Sequence, residues 1–275
     1  MYPILWTMRI PFDGGFVDFE AYPVMHLLAF LALLVVTLRI YGRDVGPSSQ
    51  ALDVMLVALP AGMLGARYLG AWASGKPAPN PFTAPLAFWT GNRWAYGGLV
   101  AGFLAALVVV LVRRLPLARF LDASAPGLAL GACFCRLGCF LGGCCWGAPT
   151  DSVLGVQFPA DHPGMGALRE GDPHALHPTQ LYLAASSLGV FVLLLALRRR
   201  GVGRPGDRFA LGAAVYAATV FVVELLRGDG GRHIPGTVTL SQVISLGVGM
   251  LVLGHVARRL AGRVAERRRA PVAFA

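Results

Sequence analysis

Residues 135–147 put an arginine, Arg136, among four of the chain's five cysteines (Cys135, Cys139, Cys144 and Cys145) and the glycines Gly138, Gly142 and Gly143. They close a long apolar run. A guanidinium at that depth is costly unless it is paired or used, and its forked donors suit a phosphate or carboxylate. The cysteines offer metal or redox chemistry, but their spacing matches no usual zinc finger or ribbon. Packing is their simplest reading, and neither a metal nor a cofactor is expected.

Other polar residues recur at comparable depth in the remaining apolar segments. Tyr22 and His26 open the first, Arg67 lies in the second, and Tyr96 with Gly97 and Gly98 opens the third. His177 and Gln180 open the fifth, Glu224 and Arg227 close the sixth, and Ser241 and Gln242 begin the seventh. One carboxylate, Glu224, cannot neutralise both Arg67 and Arg136, so the surplus positive charge points to an anionic ligand, most simply a phosphate. The alternative is that one arginine pairs with Glu224 and the other snorkels. His177 and His26 are candidate bases; His162 and His174 read as solvated loop residues and His255 as interfacial. Gly138-x-x-x-Gly142 is equally a helix-packing pattern, and Gly97-Gly98 carries the same ambiguity.

The elements that position these groups are read from hydropathy. With 275 residues, 56% hydrophobic and only 14% charged, the chain is an integral membrane protein. Seven apolar segments, near 21–41, 52–73, 95–112, 123–146, 178–197, 209–226 and 237–257, predict an all-α fold of seven transmembrane helices, the fourth with a break at its glycines. Of the 24 basic residues, 16 fall after segments one, three, five and seven. The positive-inside rule then sets the N-terminus outside and the C-terminus in the cytoplasm. The polar groups above share the outer level, as the lining of one cavity. The net charge of +10 is topological, which argues against nucleic-acid binding. A transmembrane domain over 1–257, with outer loops at 74–94 and 147–176, is followed by a basic tail over 258–275. No cleavable signal peptide is expected.

These residues carry a resemblance. Ala21-Tyr22-Pro23, Gly65-Ala66-Arg67-Tyr68, Tyr96-Gly97-Gly98-Leu99, Arg136-Leu137-Gly138-x-Phe140-x-x-Gly143-x-x-Trp146-Gly147, His177-Pro178-Thr179-Gln180-Leu181-Tyr182, Glu224-x-x-Arg227 and Gln242 together resemble the prolipoprotein diacylglyceryl transferases over about residues 15–257. The resemblance implies a multi-pass enzyme of the bacterial inner membrane. It would move the diacylglyceryl group of phosphatidylglycerol to a lipobox cysteine thiol of a prolipoprotein, releasing glycerol 1-phosphate. It sets Arg136 at the phospholipid head group, with Arg67, Gly97, Gly98, Gly138, Gly143, Gln180, Arg227 and Gln242 as binding residues. Tyr22 and Glu224 fall on positions that the family uses. The chain departs from the pattern at Tyr96, where the family has a histidine, so Tyr96, His177 or His26 would assist proton transfer. Further departures are Cys139 for asparagine, Cys144 and Leu183 for acids, and Val220 for arginine. A lipid-binding paralogue without turnover and a membrane thiol protein are the competing readings.

Overall fold

The computed structural model describes residues 4–9, 16–73, 75, 95–158, 175–228 and 238–269. His162, His174 and most of the 74–94 loop lie outside the described residues. Among the described residues there are seven helices: α1 (Ala21–Asp44), α2 (Ser48–Ala73), α3 (Ala95–Val112), α4 (Leu117–Leu141), α5 (Thr179–Arg199), α6 (Asp207–Glu224) and α7 (Leu240–Arg269). Six are long and apolar enough to cross a membrane. The exception, α6, includes Asp207, Arg208 and Glu224 within its 18 residues. An addition to the all-α expectation precedes α1: β1 (Ile4–Arg9) and β2 (Phe16–Glu20) pair antiparallel, with Trp6 opposite Phe19 and Arg9 opposite Phe16.

Helices satisfy their backbone groups internally, as a lipid-embedded chain must. Accordingly, large apolar side chains such as Leu99, Val108, Val192 and Leu251 face outward. Between helices, burial is carried by small residues and a few large anchors. α1 packs along α4, α2 along α3, α4 along α5 and α6 along α7, with α4 also meeting α6. Tyr41 of α1, Val54 of α2, Val110 of α3 and Phe120 of α4 form one buried cluster. Ala125 and Ala129 of α4 join Val190 and Leu194 of α5 in another.

Two boundaries differ informatively from expectation. α4 begins at Leu117, six residues before the expected 123, which brings Asp122 inside the helix. Asp122 and Glu224 are thus both buried acids within helices. α4 also stops at Leu141 rather than 146. The Gly142 N–H bonds back to the Gly138 carbonyl and the Gly143 N–H to the Phe140 carbonyl, and Gly143 and Cys145 adopt positive φ angles of 64° and 63°. Glycine accepts that conformation readily, whereas Cys145 is strained in it. The expected break at the glycines is real. At the other end of the chain, α7 continues to Arg269, so the basic tail begins as helix.

Candidate active site at one end of the bundle

The starts of α1, α3, α5 and α7 gather with the ends of α4 and α6. Long-range bonds tie them. The Tyr96 hydroxyl on α3 donates to Ser241 Oγ on α7 at 2.5 Å. Gln180 Nε2 and Thr179 Oγ1 on α5 donate to the carbonyls of Cys144 and Cys145 at 2.8 and 2.6 Å. Gly147, beyond that turn, bridges to Arg227 after α6 and hydrogen-bonds the His177 carbonyl. Gly142 lies against Tyr22 of α1: a Cβ there would stand 3.2 Å from the Tyr22 ring.

Arg136 is half-buried on α4. Its guanidinium lies near the Tyr216 phenol of α6 and the Cys139 and Cys145 thiols. Glu224, by contrast, is buried and paired with Arg227, whose Nη1 stands 3.3 and 3.5 Å from its two oxygens. The expectation that Glu224 neutralises Arg67 or Arg136 gives way to this i,i+3 pair, which the short helical separation favours. Arg136 instead meets a phenol and thiols. Tyr216 was not singled out from the sequence. Its signal was its spacing, since residues 216, 220 and 224 share one face of α6.

The other sequence candidates fall into two groups. Tyr96, Tyr22, His26, His177 and Gln180 are brought to this end and held by hydrogen bonds. His26 Nδ1 contacts the Tyr22 carbonyl at 2.8 Å, and His177 Nδ1 contacts the Tyr182 hydroxyl at 3.2 Å. Gln180 is fully buried, and its Oε1 has no hydrogen-bond partner among the described residues. Arg67 is half-buried on α2, half a turn beyond Gly65, which packs against the start of α3.

The second group has structural work of its own. A Cβ on Gly97 would stand 2.5 Å from the Gly65 carbonyl oxygen, and one on Gly98 would stand 3.0 Å from that of Gly62. A Cβ on Gly138 would meet Met25 at 2.9 Å. All three let helix backbones approach, which supports their packing reading. Gly143 serves the left-handed turn. Gln242 Oε1 accepts from the Thr239 N–H at 3.0 Å while Thr239 Oγ1 accepts from the Gln242 N–H at 3.2 Å, a reciprocal capping box that starts α7.

A profile of prolipoprotein diacylglyceryl transferases matches residues 9–258, which include every residue of this site. The chain belongs to the prolipoprotein diacylglyceryl transferase family. Similar proteins named phosphatidylglycerol–prolipoprotein diacylglyceryl transferase occur in Paenarthrobacter aurescens (30% identity over 77% of this chain and 70% of that protein) and in Mycobacteroides abscessus (28% over 81% and 68%). A third, from Clostridium perfringens and carrying the same name with the numeral 2, is 33% identical over 63% of this chain and 65% of its own. Family membership and the apolar helices make this a multi-pass membrane transferase.

The departures from the family pattern are grouped in space. Leu183 and Val220, standing where the resemblance expects an acid and an arginine, lie in one buried cluster with Val223. Exchanging both members of an opposite-charge pair for apolar side chains leaves no buried charge unpaired and is often neutral for stability. Cys139 and Cys144, the other two departures on α4 and its turn, also meet: their sulfurs and that of Cys145 lie within 4.8 Å of one another.

Proposed function

We propose that this transferase moves the diacylglyceryl group of phosphatidylglycerol onto the cysteine thiol of a prolipoprotein lipobox, with glycerol 1-phosphate as the leaving group. The observation that carries the reading is Arg136: a guanidinium of the bundle interior, set against a phenol and thiols while Glu224 is taken by Arg227. Such a group binds the donor's phosphodiester in forked geometry and stabilises the charge that grows on the leaving phosphate. Arg67 supplies a second positive charge. The open Oε1 of Gln180 accepts a head-group hydroxyl. Tyr96 and His177 are the groups to relay the acceptor's proton, with Tyr22 and the Glu224–Arg227 pair shaping the pocket around them. The transmembrane cavity opens at the outer leaflet of the bacterial inner membrane. The N-terminus is outside and the basic end of α7 is in the cytoplasm, as the distribution of arginines requires.

The test is purified protein incubated with phosphatidylglycerol and a lipobox peptide. A thioether-linked diacylglyceryl peptide and an equivalent amount of glycerol phosphate are expected. Bound phosphatidylglycerol with neither product would overturn the reading in favour of a lipid-binding paralogue.

A further inference from the structure

Cys139, Cys144 and Cys145 form a cluster that phosphate binding does not use. Cys139 lies in the last turn of α4, and the other two sit on the turn that follows. Their sulfurs all lie within 4.8 Å of one another. Three thiolates around one zinc ion, at the usual distance of about 2.3 Å, stand about 3.8 Å apart, so closing on an ion takes sulfur movements of about 1 Å or less.

Two independent features mark the cluster as built. The first is its backbone. Cys145 holds a left-handed φ of 63°, and the carbonyls on either side of its peptide nitrogen are pinned by Gln180 and Thr179 of α5. A strained residue persists where its surroundings over-determine it, and such residues gather at functional sites. The second is charge. Arg136 stands three residues before Cys139 on α4, Arg227 bridges to Gly147 two residues after Cys145, and Glu224 offsets Arg227. Three thiolates and one divalent cation carry a net charge of about −1, which with Glu224 balances the two arginines. Meanwhile Tyr96 donates to Ser241, and His177 and His26 each have Nδ1 engaged. A metal is a separate means of making an acceptor thiolate.

We propose that Cys139, Cys144 and Cys145 hold one zinc-type thiophilic divalent cation, whose fourth coordination position takes the acceptor's cysteine thiol. The identity of that acceptor rests on the transferase reading above. On coordination the acceptor's S–H bond breaks, its proton passes by way of Tyr96 and His177 to water, and a metal–sulfur bond forms. In the transfer, the sulfur lone pair makes the S–C bond to the glyceryl carbon. The C–O bond to phosphate breaks and the oxygen leaves with its electron pair. The metal keeps its oxidation state throughout. Arg136, which lies near both Cys139 and Cys145, sets the phosphate's counter-charge beside the nucleophile.

The experiment uses full-length protein in detergent. Zinc content by elemental analysis, competition against a chromophoric chelator and the thiolate-to-cobalt charge-transfer band after Co(II) exchange are the readouts. One ion per chain is expected for the native protein and for Cys133→Ser, which lies outside the cluster. Cys145→Ser is expected to weaken zinc binding by more than about 100-fold, beyond the effect of losing an outer-shell partner. A lipobox peptide is expected to shift the cobalt spectrum, and its Cys→Ser version is not. Stripping and restoring zinc in the native protein repeats the test without relying on a variant that folds. Chelation should stop transfer and zinc should restore it. Transfer at an unchanged rate in metal-free protein overturns the inference and leaves the transferase reading standing. A peptide-responsive metal site in a protein that never transfers lipid overturns the transferase reading and leaves the site standing. A disulfide within the cluster that survives purification under reductant and excludes zinc overturns the metal site.

Discussion

The two ends of this bundle treat their buried and half-buried polar groups differently. At the end away from the site, polar groups close on one another. Asp44 takes two bonds from Arg198, at 2.6 and 2.7 Å. Asp122 accepts the Gly206 and Phe209 N–H groups at the start of α6, at 2.8 and 2.9 Å, and forms an ion pair at 3.6 Å with Arg208, whose Nε makes no hydrogen bond among the described residues. Asp207 meets both His255 and Arg259. At the site end, Arg136 lies near a phenol and thiols, and Gln180 Oε1 is buried without a hydrogen bond among the described residues. A closed network stabilises a fold, whereas an open one leaves donors and acceptors for a substrate.

That contrast can be broken by mutation. The largest effect is expected at Asp122, whose carboxylate is buried and serves two N–H groups and an arginine. Asp122→Ala should destabilise the protein by about 3–5 kcal/mol, read as a fall in Tm in detergent, with turnover of the remaining folded protein little changed. Arg136→Ala should do the reverse. Transfer should fall by about 10²–10³-fold, comparable to loss of a preorganised anion-binding donor, with Tm nearly unchanged. Equal losses of Tm and turnover in both variants would erase the distinction between the ends. Gly97→Ala is next. Its new methyl meets the Gly65 carbonyl and Leu69, so about 1–3 kcal/mol of stability should be lost as α2 and α3 are forced apart. If turnover drops far more than Tm, Gly97 serves substrate as well as packing. Arg198→Ala should have the smallest effect. Its pair with Asp44 is partly exposed, and about 0–1 kcal/mol is expected from thermal unfolding, diminishing as salt is raised.

Sequence reasoning reached the site through residues whose cost in a membrane demands an explanation. Arg136, Tyr96, His177 and Gln180 stand out in apolar segments, and the structure gathers them at one end of the bundle. Partners are less legible. The sequence leaves open a pair between Glu224 and Arg67 or Arg136, whereas Glu224 pairs with Arg227 one turn further on. Gln242, which the sequence offers as a binding residue, also caps α7 through its Oε1. Asp122 escaped notice because the apolar run was judged to start one residue after it, while the helix itself starts at Leu117.

Composition and hydropathy alone determined a helical membrane chain with costly polar groups in its apolar segments, because apolar length and the cost of a buried charge are properties of each segment by itself. Which groups meet was decided only by tertiary structure. Cys139, Cys144 and Cys145 look like scattered small residues until the turn at Gly143 reverses the chain and stacks three sulfurs together. Leu183 and Val220 look like two unrelated losses until α5 and α6 pack one against the other. Helix ends and interhelical contacts depend on a few backbone torsions and on shape, and neither is written in the hydropathy of any single segment.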